Sequence, residues 1–592
     1  MIHELLLTLA LLAADVSATE KANVAALAPN NTLTAVATAD GQWDNAAIWS
    51  GGGLPGDGAN VLVPAGRIVL IDHRDIARLN SVRVDGTLEF SPTEDTQLLV
   101  DTLAVSEGGK LEIGTATSPI TGSAKIVFID DGELTSGLSR GLIALGMVSI
   151  HGEPVAFSKD YEPDGTAWKP ADSLERTVTF TSEATDPLRR GHVMLMHHAD
   201  YSVGWAAFNG LGRTNKAIPI GGTNLRGRYP LHFHRCGSET PITVLGAVVS
   251  GSNGWGLVNH SSNVVVTDSI TYDVLGAGFV TESGNELGSF RNCLAVKSEG
   301  HSSTDHGLDP NKRAEIGDFG HSGHGFWLQG SDVSVTDCVA VGHAHAAFSV
   351  FPKAFTEPDT GVEASPDSSL RPIAPFERNH AAHSRYGHSF EWTSMKDTDA
   401  SIAKDLVSHE CFVGLTVRQS RIDVIGGEFV AQPPAPGRVA KNGTGIDMIG
   451  PYNSEGSVTG AKITGFKTGM VCPTKFPFSV KATTFKDNTT DIWINRLLES
   501  SITIDDAPAK IVFDNEKILF NQEVVFFTWR SPVTINGKRA WYLTQHPSFV
   551  RFPAGKYAGL TNQEIFDRFG LLPRGELVPA NAVKKSTYYL AP

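Results

Sequence analysis

Two heptapeptides in this chain nearly repeat, Ser262-Asn-Val-Val-Val-Thr-Asp268 and Ser331-Asp-Val-Ser-Val-Thr-Asp337. The interval between their first residues equals three turns of about 23 residues, within the period range of solenoids. Around them recur short strand-like runs, Thr243-Val-Leu-Gly-Ala-Val-Val249, Gly278-Phe-Val-Thr-Glu282, Phe290-Arg-Asn-Cys-Leu-Ala-Val296 and Asp337-Cys-Val-Ala-Val341, each bounded by Gly, Ser, Asn or Asp. No helix-period segment of useful length separates them, so helical crossovers are missing. The pattern predicts an all-β chain built as a parallel β-helix. In that architecture equivalent residues of successive coils stack about 4.8 Å apart. Growth along one axis also accommodates 592 residues without many separate cores.

The remaining regions divide around this body. Residues 1–18 hold an apolar run, Leu5 to Ala14, followed by Asp-Val-Ser-Ala18, the pattern of a secretory leader; it predicts a secreted or periplasmic protein. Residues 40–150 are punctuated by glycine, as in Trp49-Ser-Gly-Gly-Gly-Leu-Pro-Gly-Asp-Gly58, and read as a β domain capping one end of the solenoid. The β-helix itself is expected over 151–500, with a long loop from Ala354 to Pro375 thrown out from one coil. Residues 501–592 read as a C-terminal β region with a short helix, opened by the capping box Thr561-Asn-Gln-Glu564 and closed by Gly570.

A net charge of −15 without a long basic tract excludes a nucleic-acid partner, which needs a positive stripe along the phosphates. No stretch after the leader is long and apolar enough to span a bilayer. The five cysteines are odd in number and widely spaced, so they read as buried small apolar residues. Oligomeric state has no signature in the sequence.

Histidines carry the chemistry. His232 and His234 in Arg228-Tyr-Pro-Leu-His-Phe-His234 lie two apart on a strand and share a face. Stacking the coils sets Leu231-His-Phe-His234 over Leu257-Val-Asn-His260, and that over Phe279-Val-Thr-Glu282. His234, His260 and Glu282 then form one outward-facing column, while His232 flanks it over Val258 and Val280. Two imidazoles and a carboxylate can hold one divalent cation, calcium or a transition metal such as zinc, or divide acid and base roles without one. Phe326-Trp-Leu-Gln329 in the same register would expose Trp327 and Gln329 as a stacking platform for a sugar. Arg213, Lys216, Arg226, Arg228 and Arg235 crowd near the motif and suit a carboxylate-bearing substrate.

These segments resemble the animal hyaluronan depolymerases typified by the cell-migration-inducing hyaluronan-binding protein and its transmembrane relative. Trp49 to Phe90 resembles their eight-glycine domain, and Tyr229-Pro-Leu-His-Phe-His234 their Tyr/His-Pro-Ile-His-Phe-His segment. His260-Ser-Ser-Asn263, Phe279-Val-Thr-Glu-Ser-Gly284 and Ala382-His-Ser384 match further motifs in order. Gly191-His-Val-Met-Leu-Met-His197 and Gly210-Leu-Gly-Arg213 look like segments of bacterial proteins of this architecture. Where the animal proteins carry a His before the Phe pair and an Asp after the Glu, this chain has Ala277 and Ser283. The resemblance implies a right-handed β-helix, an extracellular setting, divalent-cation dependence and cleavage of a uronate-containing polysaccharide. Carried over by position, it implicates Arg228, His232, His234, His260, Glu282 and His383. Hydrolysis and β-elimination both remain open from the sequence, as does a second class of function, a non-catalytic carbohydrate-binding or adhesive β-helix.

Overall fold

The computed structural model describes residues 16–301, 313, 317–352, 355–356, 363–364, 370–394, 399–433, 442–448, 455–473, 477–495, 501–506, 508, 510–514, 527–546 and 588–590. The chain forms two compact units, Met1–Ser369 with Ile373–Arg385, and Leu370–Pro372 with Tyr386–Pro592. Both are built from parallel coils, and the parallel β-helix read from the repeat, right-handed as the resemblance implied, is the fold.

Three ladders run along the first unit. One passes through Gly141–Ala144, His192–Met196, residues 231–234, residues 257–260, Ala277–Thr281, His324–Leu328 and Ala346–Val350. A second joins Tyr201–Gly204, residues 243–245, residues 263–267, Leu287–Arg291, Val333–Thr336 and Phe376–Glu377. The third joins Ala206–Asn209, Val248–Ser250, Ile270–Val274, Leu294–Ser298, Val339–His343 and His380–Ala382. The glycine-punctuated region starts the same structure: Asn60–Val63 pairs with Arg74–Val84, that with Asp95–Val105, and that with Gly141–Ala144. It caps the coils by being the first of them.

The repeated heptapeptide explains how each coil turns. Its final residue, Asp268 or Asp337, has φ of 52° or 59°, and the equivalent corners Asn292 and Arg378 have 55°. Asp and Asn enter this left-handed region at lower cost than other side chains because they bond locally. The corner residues also tie to one another: Asn292 Nδ2 donates to Asp268 Oδ1 at 2.6 Å, and Arg378 Nε to Asp337 Oδ1 at 2.8 Å. Inside, Phe279, Phe326 and Phe348 stack with ring centroids 4.8 Å apart at each step, one strand spacing, so the coil interior is a column of like residues. All five cysteines are buried and free.

In the second unit Tyr386–Glu391, Val413–Arg418, Thr444–Asp447, Thr468–Val471 and Thr490–Asn495 continue the parallel pattern. Toward its end Phe527–Ile535, Lys538–His546 and Tyr588–Leu590 pair antiparallel. The helix expected at 561–569 and the first fifteen residues of the expected leader lie outside the described residues. Of the loop expected from Ala354 to Pro375, Phe355–Thr356 and Glu363–Ala364 form a short antiparallel pair.

Replacing Asp337 by valine, which resists a positive φ, is expected to cost about 1–2 kcal/mol, whereas asparagine is tolerated within about 0.5 kcal/mol. Chemical denaturation midpoints check both; equal effects would contradict the corner's role.

Candidate functional site

Residues 231–234 alternate strictly. Leu231 and Phe233 are fully buried in the coil interior, so His232 and His234 point to the outer side of the sheet. Parallel pairing sets His234 against His260 and Asn259 against Thr281, and the Glu282 N–H donates to the Asn259 carbonyl at 3.1 Å. His234, His260 and Glu282 thus sit on consecutive coils. Each histidine is followed by a left-handed corner, Arg235 at φ 53° and Ser261 at φ 49°.

The column was expected to face an open groove. Instead His232, His234, His260 and Glu282 are 0%, 6%, 4% and 4% exposed. A second layer covers the outer side of this sheet. Tyr229, Trp255, Val258, Ala277, Val280 and Trp327 form one apolar cluster there, and Tyr229 stacks on Trp255 at 5.0 Å. Lys216 lies 3.8 Å above the Trp255 ring and is itself held by Asp318 at 2.7 Å, which also binds Arg313 at 2.9 Å. From the other side, a helix over residues 16–25 brings Glu20 onto His197, His234 and Arg235.

Within this enclosure three imidazoles and a carboxylate converge. Ring centroids lie 5.1 Å apart for His232 and His234, 4.5 Å for His234 and His260, and 5.7 Å for His232 and His260. One ligand atom from each histidine lies within 4.8 Å of the others. Glu282 Oε2 faces His260 Nδ1 at 3.4 Å and His232 Nε2 at 3.6 Å, while Oε1 accepts from the Tyr229 hydroxyl at 3.2 Å. His232 Nδ1 lies 2.8 Å from the Gly227 carbonyl. A carbonyl only accepts, so Nδ1 carries the proton and Nε2 presents its lone pair to the enclosure. Burial, then the neighbouring imidazoles, hold His232 well below its ordinary pKa and His234 down to about 3. Both are neutral near pH 7. Burial and the Glu282 charge push the Tyr229 hydroxyl well above 10, so it remains a donor.

The donor set suits a metal. His232 Nε2, His234 Nδ1 and Glu282 Oε2 are buried without a protein hydrogen-bond partner, an arrangement costly for polar atoms unless something coordinates them. The bond from His232 Nδ1 to a backbone carbonyl is the second contact that fixes a ligating imidazole. Three imidazoles favour a zinc-like transition ion over calcium, which takes oxygen donors. His232, expected only to flank the column, belongs to this set.

Sequence reasoning missed Glu286. Its carboxylate accepts four backbone N–H groups, from Ser261, Glu282, Ser283 and Gly284 at 2.6–3.2 Å, and so fixes both turns that carry His260 and Glu282. It also missed His197 and Glu20. Glu286 stands four residues from Glu282 as one more acidic residue before a strand, and only the folded turn reveals its acceptor role.

The remaining candidates are placed elsewhere. Arg213 is spent on backbone carbonyls of Gly137, Ser139, Arg140 and Arg190. Arg228 donates to the Gly137 and Arg226 carbonyls, and Arg226 to that of Gly317. These guanidiniums tie loops together rather than forming a carboxylate clamp, because unpaired backbone carbonyls compete for them in a buried layer. Trp327 and Gln329 are 7% and 1% exposed, with the indole N–H donating to the Gln329 amide oxygen at 3.2 Å. They line the covering cluster and form no open platform. His383 follows the strand His380–Ala382 of the third ladder and stacks on Trp168 at 3.9 Å, since its motif falls at a different corner of the coil.

Replacing Glu286 with glutamine, which keeps one acceptor oxygen and adds a donor facing N–H groups, is expected to destabilise by about 2–3 kcal/mol. Thermal melting checks this, and an unchanged midpoint would refute the turn-fixing role.

Comparison with known proteins bears on the same residues. Residues 48–159 match the G8 domain and residues 191–390 the CEMIP beta-helix. The human cell migration-inducing and hyaluronan-binding protein is 25% identical over 296 residues, 44% of this chain and 21% of that protein. A G8 domain-containing protein of Dictyostelium discoideum is 22% identical over 317 residues, 41% of this chain and 22% of that protein. The chain thus spans about a fifth of the length of these curated relatives. Among solved structures, a tailspike of E. coli bacteriophage HK620 aligns over 85% of this chain and 83% of its own at 12% identity and a TM-score of 0.28. With a match to the G8 domain followed by a match to the CEMIP beta-helix over the residues that include His232, His234, His260 and Glu282, the chain bears out the resemblance to the cell-migration-inducing hyaluronan-binding family.

Proposed function

We propose that the protein cleaves glycosidic bonds of an acidic, uronate-containing polysaccharide, acting outside the cell, with the histidine–glutamate enclosure as its chemical centre. One observation carries the reading: His232, His234 and Glu282, brought together with His260 from three coils, keep buried polar atoms without a protein hydrogen-bond partner. Such atoms are costly in a merely structural cluster. The resemblance supplies the substrate class, since the human relative is named for hyaluronan binding. Among the described residues no helix is long and apolar enough to cross a membrane.

Either cleavage chemistry needs a proton moved at the glycosidic oxygen and a base on the other side of the bond. Glu282 is the proton-handling group, oriented by Tyr229 through its Oε1 and by Glu286 through its backbone. His260, 3.4 Å from Glu282 Oε2, is its exchange partner. Neutral His232 and His234 serve as lone-pair donors and not as acids. A divalent cation held by His232, His234 and His260 would polarise the reacting oxygen and lower the pKa of attacking water.

His234→Ala is expected to cut turnover on a susceptible uronate polymer at least about a hundredfold while leaving the fold intact. Ultraviolet absorbance of the product separates the chemistries, because elimination leaves an unsaturated uronate and hydrolysis does not. A chelator is expected to suppress turnover and zinc to restore it. No turnover by the wild-type protein on any polymer of a uronate panel, with binding retained, would overturn the enzyme reading in favour of a carbohydrate-binding β-helix.

A further inference from the structure

Glu20 is a carboxylate delivered to His234 from outside the coils. It lies two residues beyond the expected leader, on the helix over 16–25, and both of its oxygens are engaged. Oε2 is 2.6 Å from His197 Nε2, while Oε1 is 3.1 Å from His234 Nε2 and accepts from Arg235 NH1 at 2.7 Å. The three partners come from two adjacent coils and converge on one carboxylate group. We propose that His197, His234 and Arg235 form a carboxylate-binding subsite for the substrate's uronate group, and that Glu20 occupies it as an intramolecular stand-in that leaves when substrate enters.

This deepens, and rests on, the reading of the site as one for uronate polymers. Among the basic residues near the motif, Arg213, Arg226 and Arg228 donate to backbone carbonyls and Lys216 pairs with Asp318, whereas Arg235 meets a carboxylate. His234 belongs to both halves: one ring nitrogen reaches the subsite carboxylate, and the ring lies 4.5 Å from His260 in the enclosure. A sugar whose carboxylate replaced that of Glu20 would therefore carry its ring beside the residues that handle the proton.

The occupant is attached in a way that permits exchange. Val24, with Leu27 beside it, packs on Ile143, Leu145, Met194 and Met196, and Lys21 pairs with the exposed Glu107. These contacts and the Glu20 anchor hold the described helical residues 16–25 against the coils. Loss of one anchor shifts the population toward an open site, and the apparent affinity for a competing carboxylate rises in proportion.

The test is calorimetric titration of the full chain with D-glucuronate, with glucose as the uncharged control. Wild type, Glu20→Gln and Val24→Asp are compared, the last releasing the helix while keeping the carboxylate; circular dichroism verifies that each is folded. The two variants are expected to bind glucuronate at least about tenfold more tightly than wild type and to gain no affinity for glucose. Adding Arg235→Ala to Glu20→Gln is expected to abolish the gain. Unchanged glucuronate affinity in Glu20→Gln, or an equal gain for glucose, overturns the proposal. Binding is read without turnover, so the two readings separate. Depolymerisation by wild type with no gain in Glu20→Gln removes the stand-in and spares the enzyme. A glucuronate gain without depolymerisation by any variant supports the subsite and removes the enzyme.

Discussion

Parallel backbone hydrogen bonds hold each coil of the first unit over the next at one strand spacing, and with that spacing the register is fixed. Because Leu231, Phe233, Leu257 and Phe279 fill the coil interior, a slip of one residue would turn the histidines into that interior and the apolar side chains out of it. The apolar column therefore dictates that His234 lies against His260 and that Glu282 comes next. Chemistry on the outside is positioned by packing on the inside. The left-handed residues Arg235 and Ser261 bend the strands just past the two histidines, which places the reactive groups at a corner that other segments can reach.

What covers that corner decides the electrostatics. Tyr229, Trp255 and Trp327 exclude water, and the same exclusion that holds His232 and His234 neutral makes their unpaired nitrogens costly. Asp318 pairs with both Lys216 and Arg313 within the layer, and the Phe319 and Ile218 carbonyls accept from the same two cations, so neither is buried without partners. Glu286 serves as a local scaffold whose burial raises its own pKa, against the pull of the backbone N–H groups it binds.

The coil register was legible in the sequence because like residues stack in columns: the repeated Ser-x-Val-x-Val-Thr-Asp runs gave the period, and strand alternation paired His234 with His260 and Glu282. The covering layer was not legible. Glu20 and Asp318 reach the site's surroundings from other parts of the chain, and no periodic pattern connects them to the histidines. For the same reason Trp327 and Gln329 looked exposed when only the coil was considered. Arg213, Arg226 and Arg228 looked like a substrate clamp because a sequence shows where charge lies and leaves out which backbone carbonyls need a donor. His383 shares a motif with the site but falls at a corner where Trp168, from an inserted hairpin, takes up its ring.

The account's central claim is that residues from three coils act as a single chemical unit. A double-mutant cycle on turnover with His234→Ala and Glu282→Gln tests it most directly, whichever cleavage chemistry applies. If the two belong to one centre, the double variant will lose no more than about tenfold beyond the worse single variant. Losses that multiply would show two independent contributions, and the stacked column would then be an accident of packing.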